Sequence, residues 1–457
     1  MASVSQVSTP STDATLASLW GALEPVGRVD WGGYRRFAWT SEDATLREWF
    51  AGEAAARGLE VVEDRAGNLW AWWGDPDGPA GPGVVLGSHL DSVPDGGAFD
   101  GPLGVVSAFA ALDAYRAGGH TPARPVGIAC FADEEGARFG VACAGSRLLT
   151  GALTPERALA LQGDDGATLA DALRATGRDP GGLGPDPDAL RRVGAFVELH
   201  IEQGRDLVEL GHPVAVGAGV WPHGRWRVRL PGQANHAGTT RLEDRLDPML
   251  ALAALVLELR RAAGRHRALA TCGKVRVHPN AVNAIPAEVL AWLDIRAEVD
   301  PAVSAVVGEV ETLVAAHGGE IREESRTAPT TFPTALVRRL AGLLGEVPVL
   351  TTGAGHDAGI LAEAGVPAAM LFVRNPTGVS HAPSEHAEWP DCVAGAEALA
   401  TVLADLAGEG EGAGAGGDGG AGEGGQAGGG DGDRRGQAGG GDGDRRGQAG
   451  GGDGGRP

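Results

Sequence analysis

The sequence has few cysteines, no long apolar run and no excess of positive charge, and each of these features excludes a class of protein. Its four cysteines are scattered singly along 457 residues, so neither a disulfide framework nor a cysteine-based zinc module is indicated. No segment approaches about 18 consecutive apolar residues, the length of a membrane-spanning helix. The N-terminal segment also lacks the basic region and apolar core of a signal peptide. We therefore expect a soluble protein in the reducing environment of the cytoplasm.

Positive charge is scarce, with 38 Lys and Arg residues against 60 Asp and Glu residues and a formal net charge of -22. Nucleic acids and anionic membranes bind basic surfaces, so we expect neither as a partner. A local basic pocket for a small anion is still compatible with this charge. The glycine-rich loops contain neither GxGxxG at a strand-to-helix turn nor GxxxxGK[ST], which argues against a nucleotide-binding protein.

The C-terminal segment, residues 408–457, lacks the apolar side chains that a core needs. It consists almost entirely of Gly, Ala, Asp, Glu, Gln and Arg, and it ends in repeats of GQAGGGDGDRR. Such a composition cannot offset the entropy that a chain loses on folding. The sequence therefore predicts a disordered tail.

The rest of the chain has the pattern of an α/β protein with two domains. Strand-like runs such as GVVLGSHL, PVGIACF and GAFVELHI alternate with helical stretches, which predicts a mixed, largely parallel sheet flanked by helices. From residue 213 the order changes to β-α-β-β-α-β, the order of a ferredoxin-like unit that is complete in itself. We predict a catalytic domain in two parts, 1–212 and 328–407, interrupted by an inserted α+β domain at 213–327.

Histidine and acidic side chains follow the predicted strands of the catalytic domain. His89 and Asp91 come directly after one strand, and Asp100 lies in the glycine-rich loop that follows. Three consecutive acids, 133–135, follow the next strand. In VELHIEQG, alternation places His200 on the face opposite the apolar side chains.

A fourth group, His381, Glu385 and His386, follows the last predicted strand. A single histidine at a strand end is most often an ordinary buried or surface residue, and paired acids are usually solvated. Four such groups at one edge of a sheet are instead typical of an α/β active site. Imidazole and carboxylate together suit zinc, manganese, cobalt or nickel better than calcium. The sequence therefore predicts a metal site at this edge.

Eight motifs, in order along the chain, resemble those of the hydantoinase/carbamoylase family. They are GSHLDSVPDGGAFDGPLGV, DEEGARFG, ELHIEQG, ANHAGTT, NAVNAIP, DIRAE, GAGHDAG and SHAPSE. The family is a branch of the aminoacylase-like dinuclear metallohydrolases and includes N-carbamoyl-L-amino acid hydrolases, β-ureidopropionases and allantoate amidohydrolases. The resemblance implies a hydrolase that acts on a non-peptide C–N bond of a small ureido or carbamoyl carboxylate.

This resemblance implies two divalent metal ions per subunit, zinc, manganese, cobalt or nickel. His89, Asp100 and His200 would bind one ion, and Asp100, Glu135 and His381 would bind the other. Asp100 would thus bridge the two ions.

The resemblance also assigns roles to residues around the metals. Glu134 would be the general base, and Asp91 would orient His89 from the second layer of the site. Four positions match substrate contacts of the family: Gln203, His236, Asn283 and Arg296. Arg296 would hold the substrate carboxylate through its planar fork, and His236 would stabilise the oxyanion of the tetrahedral intermediate. The family also implies a homodimer formed through the inserted lid domain.

The motifs leave the substrate open between allantoate and an N-carbamoyl-L-amino acid. The WPHGRW segment and Arg241 depart from what we expect of typical carbamoylases and add polar groups near the pocket, which slightly favours allantoate. No role is assigned to His223 or His356. Two alternatives remain: an aminoacylase- or dipeptidase-type hydrolase, and a binding protein without catalysis. The complete ligand set together with Glu134 argues against the second alternative.

Overall fold

Strands in residues 11–410, the part of the chain that the computed structural model describes, build two main sheets and one short pair. The predicted tail lies outside the described residues, except for 408–410. The strands are β1 (Glu60–Glu63), β2 (Leu69–Trp73), β3 (Gly83–His89), β4 (Val126–Phe131), β5 (Val193–Ile201), β6 (Val214–Val220), β7 (His223–Pro231), β8 (Asn235–His236), β9 (Ala268–His278), β10 (Ala284–Ile285), β11 (Glu288–Ala297), β12 (Glu320–Thr327), β13 (Thr330–Thr331), β14 (Val349–Thr352) and β15 (Ala368–Val373).

Helices cover the sheets. The α-helices are α1 (Thr12–Leu23), α2 (Ser41–Ala56), α3 (Pro102–Ala117), α4 (Ala144–Thr150), α5 (Pro155–Leu159), α6 (Leu169–Ala175), α7 (Pro187–Arg191), α8 (Asp206–Leu210), α9 (Pro248–His266), α10 (Asp300–Ala316), α11 (Thr334–Leu343), α12 (Asp357–Glu363) and α13 (Trp389–Ala407). In the described part of the chain, no helix combines the length and the apolar character that crossing a bilayer requires.

The larger sheet has nine strands in the order β1-β2-β4-β3-β5-β15-β6-β13, with β14 paired to β6. The central strands β4, β3, β5 and β15 run parallel, while the outer pairs β1-β2 and β15-β6 are antiparallel. Strands β3 and β4 are buried along their whole length. This burial on both faces explains their continuous apolar runs. The predicted mixed α/β sheet flanked by helices is confirmed, but it is parallel only at its centre and in the β6-β14 pair, and four of its eight strand pairs are antiparallel.

The smaller sheet is antiparallel, with the order β12-β7-β11-β9. Its elements follow the chain order β-α-β-β-α-β, with the short β8-β10 pair added. Side chains of β11 alternate strictly between buried and half-buried positions, because one face of the sheet packs on α9 and α10. The hydrophobic core formed there runs from Trp226 to Ile321 and is separate from the core of the larger sheet.

The structure describes three residues of the predicted tail, 408–410. Glu409 forms a bridge with Pro122, and the Gly410 N–H donates to the Thr121 carbonyl at 2.9 Å. These main-chain bonds fix the segment that follows α13 as far as Gly410.

Candidate metal centre and substrate cavity

Neighbouring parallel strands bring the predicted histidines and acids to one edge of the larger sheet. His89 ends β3, His200 lies near the end of β5, and residues 133–135 follow β4. Because β4, β3 and β5 are parallel neighbours, their carboxyl ends meet. Asp100 reaches the same place from the loop before α3.

His89, Asp100 and His200 form the first group of possible metal ligands. The Nε2 atoms of His89 and His200 lie 3.6 and 3.2 Å from Asp100 Oδ1. Each Nδ1 atom instead faces a main-chain carbonyl, that of Asp91 at 3.1 Å and that of Ile201 at 2.9 Å. These contacts favour the tautomer with the proton on Nδ1, which leaves each Nε2 as a ligand. Within the described residues, both buried Nε2 atoms lack a hydrogen-bond partner.

Asp100, Glu135 and His381 form the second group. His381 Nε2 lies 3.4 Å from Asp100 Oδ2 and 3.6 Å from Glu135 Oε2. Asp100 therefore offers one carboxylate oxygen to each group. Imidazole nitrogens of three histidines that face a shared carboxylate, two of them buried and unpartnered within the described residues, suit a pair of divalent cations.

Asp91 supports this centre through the backbone of the neighbouring acids. Its carboxylate accepts the N–H groups of Glu134 and Glu135 at 3.1 and 3.0 Å, and Asp133 has the left-handed φ of 52°. The nearest hydrogen-bonding group to the His89 ring is the main-chain carbonyl of Asp91, whereas its carboxylate lies at 3.5 Å. Asp91 thus positions both the histidine and the two glutamates.

Two further residues fix the loop that carries Asp100. Gly101 has a φ of 84°, and a Cβ atom there would lie 2.4 Å from the His89 ring. Glu385 accepts the N–H groups of Phe99 and Asp100, both at 2.9 Å. Sequence reasoning singled out Glu385 without a role, because nothing local shows that it contacts residues so far away in the chain.

Electrostatics at the centre favour bound cations. Burial would raise the pKa of Asp100, but His200 and His381 hold it well below its usual range. Burial, reinforced by the charge of Asp100, raises the pKa of Glu135 to about 7. Burial alone would lower the pKa of His381, yet Asp100 and Glu135 raise it to about 9. Protons on these ligands would have to leave when a metal binds.

Glu134 lies at the floor of a cavity of about 820 Å³ that both ligand groups border. Burial raises the pKa of its carboxyl well above the usual range. Its Oε2 atom lies 3.6 Å from His89 Nε2, while its Oε1 atom accepts a hydrogen bond from the Cys143 thiol at 3.2 Å. Sequence reasoning missed Cys143, since it belongs to no motif and only the fold brings it to Glu134.

Gln203 and Arg296 also line this cavity. The Gln203 amide donates to Asp100 Oδ2 at 2.8 Å and lies 3.3 Å from His381 Nε2. Arg296 donates to the Asp294 carboxylate and, through Nη1, to the Gly353 carbonyl at 2.7 Å. Arg296 thereby joins the smaller sheet to the larger one at the cavity.

His236 and Asn283 lie elsewhere. They are neighbours, since the Ala237 N–H donates to the Asn283 carbonyl at 3.0 Å, and both are exposed. Among the described residues that border the cavity, neither occurs. The structure therefore does not bring these two predicted substrate contacts to the ligand groups within one chain. Arg241, which donates to Asp244, is also absent from the cavity wall.

The two histidines without an assigned role both border the cavity. His356 is only 3% exposed, its ring lies 4.5 Å from that of His200, and burial lowers its pKa well below the usual value. The Nδ1 atom of His223 donates to the Trp221 carbonyl at 3.0 Å.

The chain belongs to Peptidase family M20/M25/M40, whose sequence model matches residues 85–405. An N-carbamoyl-L-amino acid amidohydrolase from Geobacillus stearothermophilus is 38% identical over 401 residues, 84% of this chain and 96% of the relative. An allantoate amidohydrolase from Escherichia coli strain K12 is 32% identical over 405 residues, 84% of this chain and 96% of the relative.

A solved structure of an amidase is also similar to this chain. The amidase of the hydantoinase/carbamoylase family from Burkholderia vietnamiensis is 29% identical and has a TM-score of 0.80, covering 88% of this chain and 99% of its own. The resemblance to the hydantoinase/carbamoylase family that the sequence motifs indicated is confirmed.

Proposed function

We propose that the protein is a metal-dependent amidohydrolase that cleaves a non-peptide C–N bond in a small ureido or carbamoyl carboxylate, either allantoate or an N-carbamoyl-L-amino acid. The observation that carries this proposal is the position of Asp100, whose two oxygens face His200 at 3.2 Å and His381 at 3.4 Å. The names of the relatives support the substrate class.

Two divalent ions, of zinc, manganese, cobalt or nickel, fit the two ligand groups that share Asp100. The unpartnered Nε2 atoms of His89 and His200 support this fit. When bound, a pair of such ions supplies a water molecule that is nucleophilic at neutral pH. The histidines and carboxylates of the chain hold and orient that pair.

Glu134 would act as the general base. Cys143 donates to its Oε1 atom, and its Oε2 atom, on the side of His89, would accept the proton. The same carboxyl would then return the proton to the leaving nitrogen. The Glu134 side chain is buried apart from its contact with the cavity.

Substrate recognition would rest on Arg296 and Gln203, which border the cavity. Arg296 would hold the carboxylate through its two terminal amino groups. Of the polar residues that favoured allantoate, His223 and Arg225 line the cavity, whereas Arg241 does not. Both substrates therefore remain within the proposal.

The segment 213–327 would be an inserted lid and dimerisation domain. Strand β9 is an edge strand of its sheet, and large apolar side chains on α9 and β9 are exposed, among them Leu250 at 72%, Leu257 at 58% and Leu269 at 58%. Exposed apolar patches of this kind mark interfaces. A homodimer that covers them is the partner that we propose.

A second copy would also complete the site, since His236 and Asn283 are exposed and away from the cavity of their own chain. His236 would then stabilise the oxyanion from across the interface. To test this, Glu134→Gln and His236→Ala subunits are unfolded, mixed and refolded together. Hybrid dimers regain activity if His236 acts in the other subunit, and the mixture stays inactive if it acts in its own.

The function itself is tested by turnover of metal-reconstituted protein on allantoate, N-carbamoyl-L-amino acids, N-acetyl amino acids and dipeptides. We expect one of the first two groups to give the highest kcat/KM. Preferred cleavage of dipeptides or N-acetyl amino acids would instead establish the aminoacylase- or dipeptidase-type alternative. Binding of the ureido compounds without hydrolysis would leave a binding protein.

A further inference from the structure

The cavity carries more positive charge than the composition of the chain suggests. Among the described residues, seven arginines from the smaller sheet and from helices α4 and α5 border it, although the formal net charge of the chain is -22. Arg296 is the one that the family resemblance explains. The others require a separate account, because guanidinium groups gathered in one cavity repel each other unless anions lie between them.

Acidic side chains of the protein partner three of these six other arginines. Arg225 lies 3.6 Å from Asp294, and Arg227 lies 3.5 Å from Glu324. Arg326 pairs with Asp300 at 2.8 Å. These pairs account for their charge without a ligand.

The remaining three, Arg147, Arg157 and Arg322, form no ion pair within the described residues. Arg157 and Arg322 are exposed to water, whereas Arg147 is not. Within residues 11–410, no acidic side chain forms an ion pair with it, and its Nε atom donates to the main-chain carbonyl of Ala142 at 3.1 Å. The two terminal amino groups, Nη1 and Nη2, have four N–H bonds to offer. The residue is half-buried, so bulk water does not fully solvate it.

The position of Arg147 is fixed by α4, which begins directly after Cys143. Arg147 therefore borders the cavity from a helix whose preceding residue, Cys143, contacts Glu134. Burial lowers the pKa of His223, and the Arg296 and Arg147 guanidinium groups lower it further. Both guanidinium groups therefore lie within electrostatic range of the same ring in the cavity wall.

We infer that Arg147 binds a second anionic group of the substrate while Arg296 binds the first. The preferred substrates would then be N-carbamoyl derivatives of amino acids with an acidic side chain. A guanidinium fork matches a carboxylate in shape and charge, and a cavity of about 820 Å³ has room for a longer dicarboxylate. This inference rests on the proposed function and narrows its substrate class.

The test compares N-carbamoyl-L-glutamate with N-carbamoyl-L-glutamine, which have nearly the same shape and differ in charge. For the metal-loaded wild-type protein we expect a kcat/KM ratio of about tenfold or more in favour of the glutamate derivative, the effect of one charge-assisted hydrogen bond. In Arg147→Met this ratio should fall by about tenfold. In Arg147→Lys, which keeps the charge without the fork, it should fall less.

Arg229→Gln is the matched control, because Arg229 lies on β7, pairs with Glu288 and is not part of the cavity wall. This variant should keep the wild-type ratio. A thermal melt of each variant separates loss of the fold from loss of selectivity, and the wild-type ratio tests the inference without any variant.

Equal turnover of both derivatives by the wild type, or an unchanged ratio in folded Arg147→Met, overturns the inference and leaves the proposed function intact. Hydrolysis of allantoate with no hydrolysis of either N-carbamoyl compound also overturns the inference and leaves the proposed function intact. If only N-acetyl amino acids or dipeptides are cleaved, the proposed function fails, and the inference fails with it.

Discussion

The carboxylate of Asp294 holds the guanidinium of Arg296 side-on, with its oxygens 2.6 Å from Nε and 3.0 Å from Nη2. Both residues lie on β11, two positions apart on one face of the strand. The bond from Nη1 to Gly353 fixes the group further. One edge of the fork, formed by Nη1 and Nη2, thus remains for a substrate carboxylate.

Changing Arg296 should therefore weaken substrate capture more than turnover. We expect Arg296→Lys to raise KM for carboxylate substrates by about tenfold or more, because a lysine point charge cannot replace the fork. Steady-state kinetics on the best substrate of the panel measure this change. Carboxamide analogues provide the control, and the account is wrong if the wild type turns them over as well as the acids.

Replacing the proposed base should separate metal binding from catalysis. Glu134→Gln keeps the size of the side chain and removes its basicity, so turnover should fall by about a hundredfold or more. Elemental analysis should still find the wild-type metal content, because Glu134 belongs to neither ligand group. Near-wild-type turnover in the metal-loaded variant would show that another group takes the proton.

Metal affinity should depend on pH. In the metal-free protein Asp100 and Glu135 raise the pKa of His381 to about 9, so at neutral pH a metal ion must displace a proton. The apparent affinity should rise with pH up to about 9, by as much as about tenfold per unit for each proton displaced. Competition with a chelating dye at several pH values measures this dependence. An affinity that does not change between pH 7 and 9 would contradict it.

Two truncations of the C-terminal segment, after Gly410 and after Ala407, should differ in their effect on stability. A chain that ends after Gly410 should keep its melting temperature and turnover, because the removed sequence offers no apolar side chains for a core. A chain that ends after Ala407 loses the main-chain bond from Gly410 to Thr121 and should be less stable by about 1 kcal/mol. A large loss of stability in the chain that ends after Gly410 would contradict this prediction.

The sequence predicted most of the candidate centre because its ligands follow strands of strong apolar character. His89 and His200 lie at such ends, and a parallel sheet brings those ends together. Interactions between distant loops could not be predicted in this way. Glu385 reaches Asp100 across 285 positions, and Cys143 contacts Glu134 through a left-handed turn.

The exposed position of His236 was equally hidden from sequence reasoning. Its motif indicates a substrate contact, but a motif does not say from which chain the side chain enters a site. The exposure of β8, which carries His236, follows from the fold of the segment and is not marked in the motif.

The central claim is that Asp100 bridges two metal ions. Anomalous diffraction at the absorption edge of the bound metal, from crystals of the reconstituted protein, tests it directly. We expect two peaks about 3.5 to 4 Å apart, one beside His89 and His200, the other beside Glu135 and His381, with one Asp100 oxygen on each. A single peak, or two peaks that do not share Asp100, would contradict the account.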